Sequence, residues 1–162
     1  MITARLGATL LLLVACSAGA STSVEEFPDE GRDHLSAGDP VPEYGTNPPT
    51  SGAHAPVWSR CGVHEEPIPD VVQVHDLEHG VVVVQHDPDL PEDDETALRD
   101  LAAVLDSHVI IAPRPGLPAP VVATAWTVML RLDGADTEAI IEFWEDHAQK
   151  APEQRPCPIE NP

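Results

Sequence analysis

The chain has few basic residues, and this shortage excludes one broad class of function. Eight lysines and arginines stand against 28 aspartates and glutamates, which gives a formal net charge of -20 over 162 residues. A surface this acidic repels phosphate groups, so we expect no binding to nucleic acid. No glycine-rich loop leads from a predicted strand into a helix, and nucleotide binding therefore has no support either.

Methionine is also scarce. Beyond the N-terminal residue the chain has Met129 alone, in an apolar predicted strand where packing in the core explains it. Carriers of copper(I) usually rely on thioether ligands. Any metal site in this chain is therefore expected to use imidazole and carboxylate groups, which suit copper(II) or zinc.

Long hydrophobic runs are limited to the N-terminus. Residues 8–15 are mostly apolar and follow Arg5, a pattern typical of a secretory signal and too short for a permanent membrane helix. Residues 13–16, LVAC, resemble a bacterial lipobox, in which the cysteine is lipidated. We predict a lipoprotein signal peptide at residues 1–15 and a lipid anchor on Cys16, the alternative being an ordinary signal peptide cleaved near Ala20. The protein would then lie at the cell envelope, on the outer face of the cytoplasmic membrane or in the periplasm.

The composition changes near residue 44. Residues 16–43 are rich in serine, acidic residues, glycine and proline and have few large apolar residues, which predicts a disordered acidic tether. Residues 44–54 have prolines that exclude regular helix and predict a shaped loop. We predict a single α+β domain over residues 44–162.

The remaining pattern predicts strands and helices in a repeated order. Residues 71–74 and 81–85 are valine-rich and predict two strands, with residues 75–80 as the turn between them. Residues 94–106 and 137–150 have apolar residues at helical spacing, and residues 108–112 and 121–130 predict further strands. Strand, strand and helix thus occur twice. We expect an antiparallel sheet with two helices and a proline-rich N-terminal loop segment.

Side chains that can bind metal or transfer protons are concentrated in an H-x-x-E-H motif within the predicted turn at residues 75–80. Imidazole is a common ligand of zinc and copper, and a carboxylate can complete or orient such a set. The predicted metal site therefore consists of His54, His75, His79 and Glu78. Glu78 can be a ligand, a partner to a ligand or a proton acceptor, or it can pair with Arg60 inside the fold. Weaker candidates are Cys61, His64 and His86, and we expect solvated or structural roles for His34, His108 and His147.

H-x-x-E-H is also the pattern of a group of zinc peptidases. In those enzymes the two histidines share one face of a sustained helix. Here β-branched residues stand on both sides of the motif, which favours a turn between strands and argues against a peptidase.

Two cysteines remain if Cys16 is lipidated. Cys61 and Cys157 can form a disulfide in an oxidising compartment. Cys61 lies among the candidate ligands, so it can instead bind metal as a thiolate. The sequence leaves both possibilities open.

Several of these motifs together resemble a known family. They are YGTNPPTSGAH at residues 44–54, Trp58, CGV at residues 61–63, Pro67, residues 69–70, VHDLEHG at residues 74–80 and APE at residues 151–153. The chain is similar over most of its length to the bacterial family known as domain of unknown function 3105. The resemblance implies a small envelope protein and places His54, His75, Glu78 and His79 in the family's motifs. It implies no established activity.

These observations favour an extracytoplasmic lipoprotein that binds copper or zinc, in envelope metal binding or handling. The expected partners are the membrane, through the anchor on Cys16, and a metal ion. One alternative is a metal-dependent enzyme, a hydrolase or a copper redox enzyme, with Glu78 as the base. Another is a metal-free interaction module that presents the proline-rich loop.

Overall fold

The computed structural model describes residues 23–105 and 107–157, and there it has an α+β fold with a six-stranded mixed sheet and three helices. The predicted α+β class is confirmed. The strands are β1 Val24–Glu26, β2 Gly62–Val63, β3 Val82–His86, β4 Val109–Pro113, β5 Val121–Ala125 and β6 Val128–Leu132. The helices are α1 Asp70–Glu78, α2 Glu92–Val104 and α3 Thr137–His147.

The sheet is not purely antiparallel, so that part of the prediction is wrong. The strand order is β1-β6-β5-β3-β4-β2. β4 runs parallel to both β2 and β3, whereas β5 and β6 form an antiparallel hairpin beside β3. Because α2 connects β3 to β4 and lies across one face, it returns the chain to the same end of the sheet, which makes the pair parallel.

Helix α1 replaces the predicted strand at residues 71–74 and most of the predicted turn. It begins after Pro69, whose carbonyl accepts from the amide of Gln73. It ends in a Schellman motif, in which Gly80 N donates to Leu77 O and Val81 N donates to Asp76 O. The positive φ of Gly80, 89°, suits glycine, and a Cβ there would come 2.7 Å from a backbone carbon of the C-terminal segment. Burial and end signals thus override the β propensity of the valines.

The two faces of the sheet are covered differently. The helix face, under α2 and α3, has a continuous apolar core that includes Val84, Leu98, Ile111, Leu130 and Phe143. The site face, under α1 and residues 44–54, has a smaller apolar cluster: Ile68, Leu77, Val81, Val83, Ile110 and Ala112. Successive residues of each strand point to opposite faces, so each central strand contributes to both clusters.

Residues 23–43 differ from the predicted tether. Strand β1 pairs with β6 at the sheet edge, and Leu35 N donates to His54 O over 2.7 Å. All three residues of β1 are exposed. Backbone hydrogen bonds and the ion pair of Glu25 with Arg131 hold β1 to the edge. The strand has no buried apolar side chain, which is why composition did not reveal it.

The predicted signal peptide, the lipid anchor on Cys16 and the start of the tether lie outside the described residues. Among residues 23–105 and 107–157, no helix combines the length and the apolar character needed to cross a membrane.

Candidate metal centre

Helix α1 brings two of the predicted ligands together at its C-terminal end. His75 and His79 are four residues apart, so their side chains share one face of the helix. Their Nε2 atoms lie 3.0 Å apart. The two imidazoles are therefore in direct contact at the end of α1.

The loop at residues 44–54 brings a third histidine to the same place. His54 has a fully buried side chain, and its backbone is held by hydrogen bonds from His54 N to Asp33 O and from Leu35 N to His54 O. Its Nε2 lies 3.0 Å from Oε2 of Glu78. Tyr44 supports the loop by donating to Ala53 O, and burial raises the pKa of this phenol to about 12. The loop thus delivers His54 to the end of α1.

Two backbone carbonyls fix the tautomers of the buried histidines. Nδ1 of His54 lies 2.8 Å from Gly52 O, and Nδ1 of His75 lies 2.8 Å from Ala55 O. A carbonyl oxygen only accepts, so each Nδ1 carries a proton and donates it. In a neutral imidazole the other nitrogen, Nε2, then has a free lone pair. Such a backbone contact is the usual way of orienting a histidine that binds metal.

His34 joins the group, although we expected a solvated or structural role for it. An isolated parallel bridge pairs it with His54, and its ring stacks on that of His75 with centroids 5.0 Å apart. Its Nε2 lies 3.7 Å from Oε2 of Glu78. The side chain is 51% exposed, so the centre opens to solvent on this side.

One potential ligand atom from each of His34, His54, His75 and Glu78 lies within 4.8 Å of the others. The last three residues are buried. Trp58 packs beside them, with its ring centroid 5.4 Å from that of His75 and 5.3 Å from that of His79. Three imidazoles and one carboxylate form a donor set suited to zinc or copper(II). The cluster can therefore hold a metal ion.

Burial keeps the helix histidines neutral. Desolvation lowers the pKa of His75, and the hydrogen bond to Ala55 opposes this effect. Desolvation, with a smaller contribution from His75, lowers the pKa of His79 to about 4. Neutral imidazole is the form that binds metal, so these rings are in the binding form at neutral pH.

Asp76 is a buried carboxyl on the helix that brings His75 and His79 together, but its surroundings differ from theirs. Its Oδ1 accepts from Ser59 N over 2.7 Å, whereas Oδ2 is buried without a hydrogen-bond partner among the described residues. Burial raises its pKa to about 7, against the hydrogen bonds from Ser59. Asp76 anchors the segment that carries Trp58.

The structure places the weaker candidates outside the cluster. Cys61 and Cys157 form a disulfide, so Cys61 offers no thiolate ligand. His64 Nε2 donates to Arg60 O, and His86 Nδ1 donates to Asp87 O. These contacts with backbone carbonyls give both histidines a structural role.

Little in the sequence pointed to His34 as a member of the cluster. It is a single histidine in an acidic segment, and its position depends on a backbone bridge between segments about twenty residues apart.

A better signal existed for helix α1, since Pro69 precedes the helix and Gly80 follows the motif at its end. Our structural objection to a zinc peptidase, the expected lack of a helix, was therefore wrong. The activity itself is untested.

The fold and the cluster define a small α+β protein with a buried histidine and glutamate group that can hold a metal. The chain belongs to the family described as Protein of unknown function (DUF3105), whose model matches residues 34–158. The family predicted from the motifs is thus confirmed, and the match begins at His34. No curated protein and no solved structure matches the chain.

Proposed function

We propose that this protein binds a divalent transition metal, zinc or copper(II), through His34, His54, His75 and Glu78. We further propose that it does so as a lipoprotein of the cell envelope, anchored through Cys16. This ligand set revises the sequence-based one, with His34 in place of His79.

One observation carries the proposal. The Nδ1 proton of His54 is committed to Gly52 O, so its Nε2 faces Glu78 Oε2 with a lone pair, 3.0 Å away. Two acceptors at hydrogen-bond distance repel unless a proton or a cation lies between them. Nε2 of His75, 3.0 Å from Nε2 of His79, is a further acceptor in the group, and several acceptors together favour a cation with several ligands over a single shared proton. The net charge of -20 favours cation uptake as well.

The position of Glu78 favours metal binding over hydrolysis. A general base must reach the water or the substrate that it deprotonates. The side chain of Glu78 is 4% exposed and its Oε2 already faces two imidazoles. This position supports a ligand role for Glu78, and we propose a binding or handling role rather than an enzymatic one.

The test is metal content by mass spectrometry on protein purified without a tag and without chelators. We expect the parent to retain about one zinc or copper ion at this site. A His54→Ala, His75→Ala double variant should contain only trace metal, since a stable site needs three to four ligands. His64→Ala is the matched control, because it removes a histidine that lies outside the cluster, and it should retain the metal. Titration with each metal would distinguish them, because copper(II) quenches tryptophan fluorescence, with Trp58 packed against the site, whereas zinc does not.

Equal trace metal in parent and double variant, with no binding on titration, would reject metal binding and favour the metal-free interaction module. The anchor is tested separately by cell fractionation. The parent is expected with the membranes and Cys16→Ser in the soluble fraction. A parent found in the soluble fraction would refute the anchor without affecting the metal site.

A further inference from the structure

A second group of ligand-type side chains adjoins the first. Potential ligand atoms of Glu78, His79 and Glu153 lie within 4.8 Å of one another. Of these three residues, Glu78 also belongs to the first group. His79, predicted as a ligand from its motif, and Glu153, which we did not predict, thus lie on the other side of a shared carboxylate.

Glu153 reaches this position because the C-terminal segment is fixed to the end of α1. We call residues 149–157 the C-terminal strap. Its backbone amides donate to three consecutive carbonyls, from Glu153 N to Glu78 O, from Arg155 N to His79 O and from Gln149 N to Gly80 O. The disulfide from Cys157 to Cys61 holds its far end. The placement of Glu153 is therefore set by backbone and covalent contacts.

Glu153 offers a partly exposed carboxylate to this group. Glu153 Oε2 lies 3.9 Å from His79 Nε2 and accepts from the guanidinium of Arg155. The hydrogen bond from Arg155 lowers the pKa of Glu153, so it is a carboxylate at neutral pH. The side chain is 41% exposed, which lets a cation approach from solvent.

Glu78 belongs to both groups. Its Oε2 lies near His34 and His54. A carboxylate has two oxygens, so one Glu78 side chain can bind two ions, and a shared carboxylate suits two ions about 3.5 to 4 Å apart. We propose that Glu78, His79 and Glu153 bind a second divalent transition-metal ion, bridged to the first by the Glu78 carboxylate. The bridge rests on the proposed function, because it needs the first ion.

The experiment is a zinc titration by calorimetry on the purified protein, with metal content measured after dialysis. The parent should take up about two zinc ions per chain and Glu153→Gln about one, as expected when one position of a two-metal site is lost. Glu145→Gln, an exposed glutamate on α3, makes the same charge change away from the site and should keep the parent value. Glu153→Gln keeps the backbone contacts of the strap, so the fold should be retained.

Each other outcome separates the two proposals. One ion in the parent and in Glu153→Gln would overturn the second site and leave the first intact. Two ions bound by both the parent and Glu153→Gln would show that Glu153 is not a ligand. Neither zinc nor copper bound to a folded parent would overturn the proposed function and the second site with it.

Discussion

The two faces of the sheet are built on different principles. Among the described residues, the buried apolar cluster of the helix face has fifteen members and that of the site face has six. The site face instead buries Gln73, Gln85 and Thr124 together with the histidines and Glu78. Apolar packing stabilises a domain, whereas buried polar groups cost free energy unless they are paired.

The two faces therefore have different roles, one in stability and the other in holding the candidate site. The helix face has the larger apolar core and supplies stability. The site face has less apolar area and is reinforced by links between distant segments: the disulfide, the C-terminal strap, and the loop at residues 44–54. These links hold the candidate ligands in place where fewer apolar residues pack.

The largest effect should come from removing the covalent link of the site face. The double change Cys61→Ser and Cys157→Ser should lower the free energy of unfolding by about 4.7 kcal/mol in the chain-entropy model, since the bridge joins residues 96 positions apart. Urea unfolding of parent and variant measures the change, with the parent in reducing agent as control. A loss below about 1 kcal/mol, well under the usual range, would mean that packing on the site face suffices without the bridge.

The strand β3 offers a matched pair of changes that sharpen the comparison. Val83 and Val84 are adjacent and fully buried, and they belong to the site-face and helix-face clusters respectively. Each change to alanine should cost about 2 kcal/mol of stability, from lost burial and the cavity left behind. Val83→Ala should also weaken zinc binding, because Val83 shares a cluster with Leu77 of α1.

Denaturant unfolding and zinc titration of both variants decide this prediction. Val84→Ala serves as the control for a general loss of stability, and its zinc affinity should equal that of the parent. Equal weakening of zinc binding by both changes would show that the faces are coupled and that the division of tasks is wrong.

The helix face could be predicted well from the sequence, and the site face could not. Helices α2 and α3 have apolar residues at helical spacing with acidic first turns, and the structure has both within a few residues of the expected bounds. The hairpin of β5 and β6 was read as one strand at residues 121–130, because its turn at Trp126 and Thr127 has no glycine or proline. The local sequence pattern predicts such elements, and it does not reveal a turn that lacks glycine and proline.

The candidate site was predicted in part, through the residues that share a motif. His54, His75 and Glu78 meet as expected, although on a helix end rather than in a hairpin turn. His34 and Glu153 arrive through a backbone bridge and a strap, contacts between segments far apart in the chain. Such contacts depend on the completed fold, so spacing in one sequence does not reveal them.

The smallest predicted effect concerns two buried glutamines of the site face. Neither amide atom of Gln85 has a hydrogen-bond partner among the described residues, whereas Gln73 Nε2 donates to Pro49 O over 3.2 Å. Gln85→Leu, which keeps the volume, should therefore raise the free energy of unfolding by about 1 kcal/mol by removing an unpaired amide. Gln73→Leu should lower it by about 1 kcal/mol, because it leaves the Pro49 carbonyl unpaired. Denaturant unfolding checks both. A fall for Gln85→Leu would indicate that buried water pairs this amide, and the site face would then be better satisfied than its apolar cluster suggests.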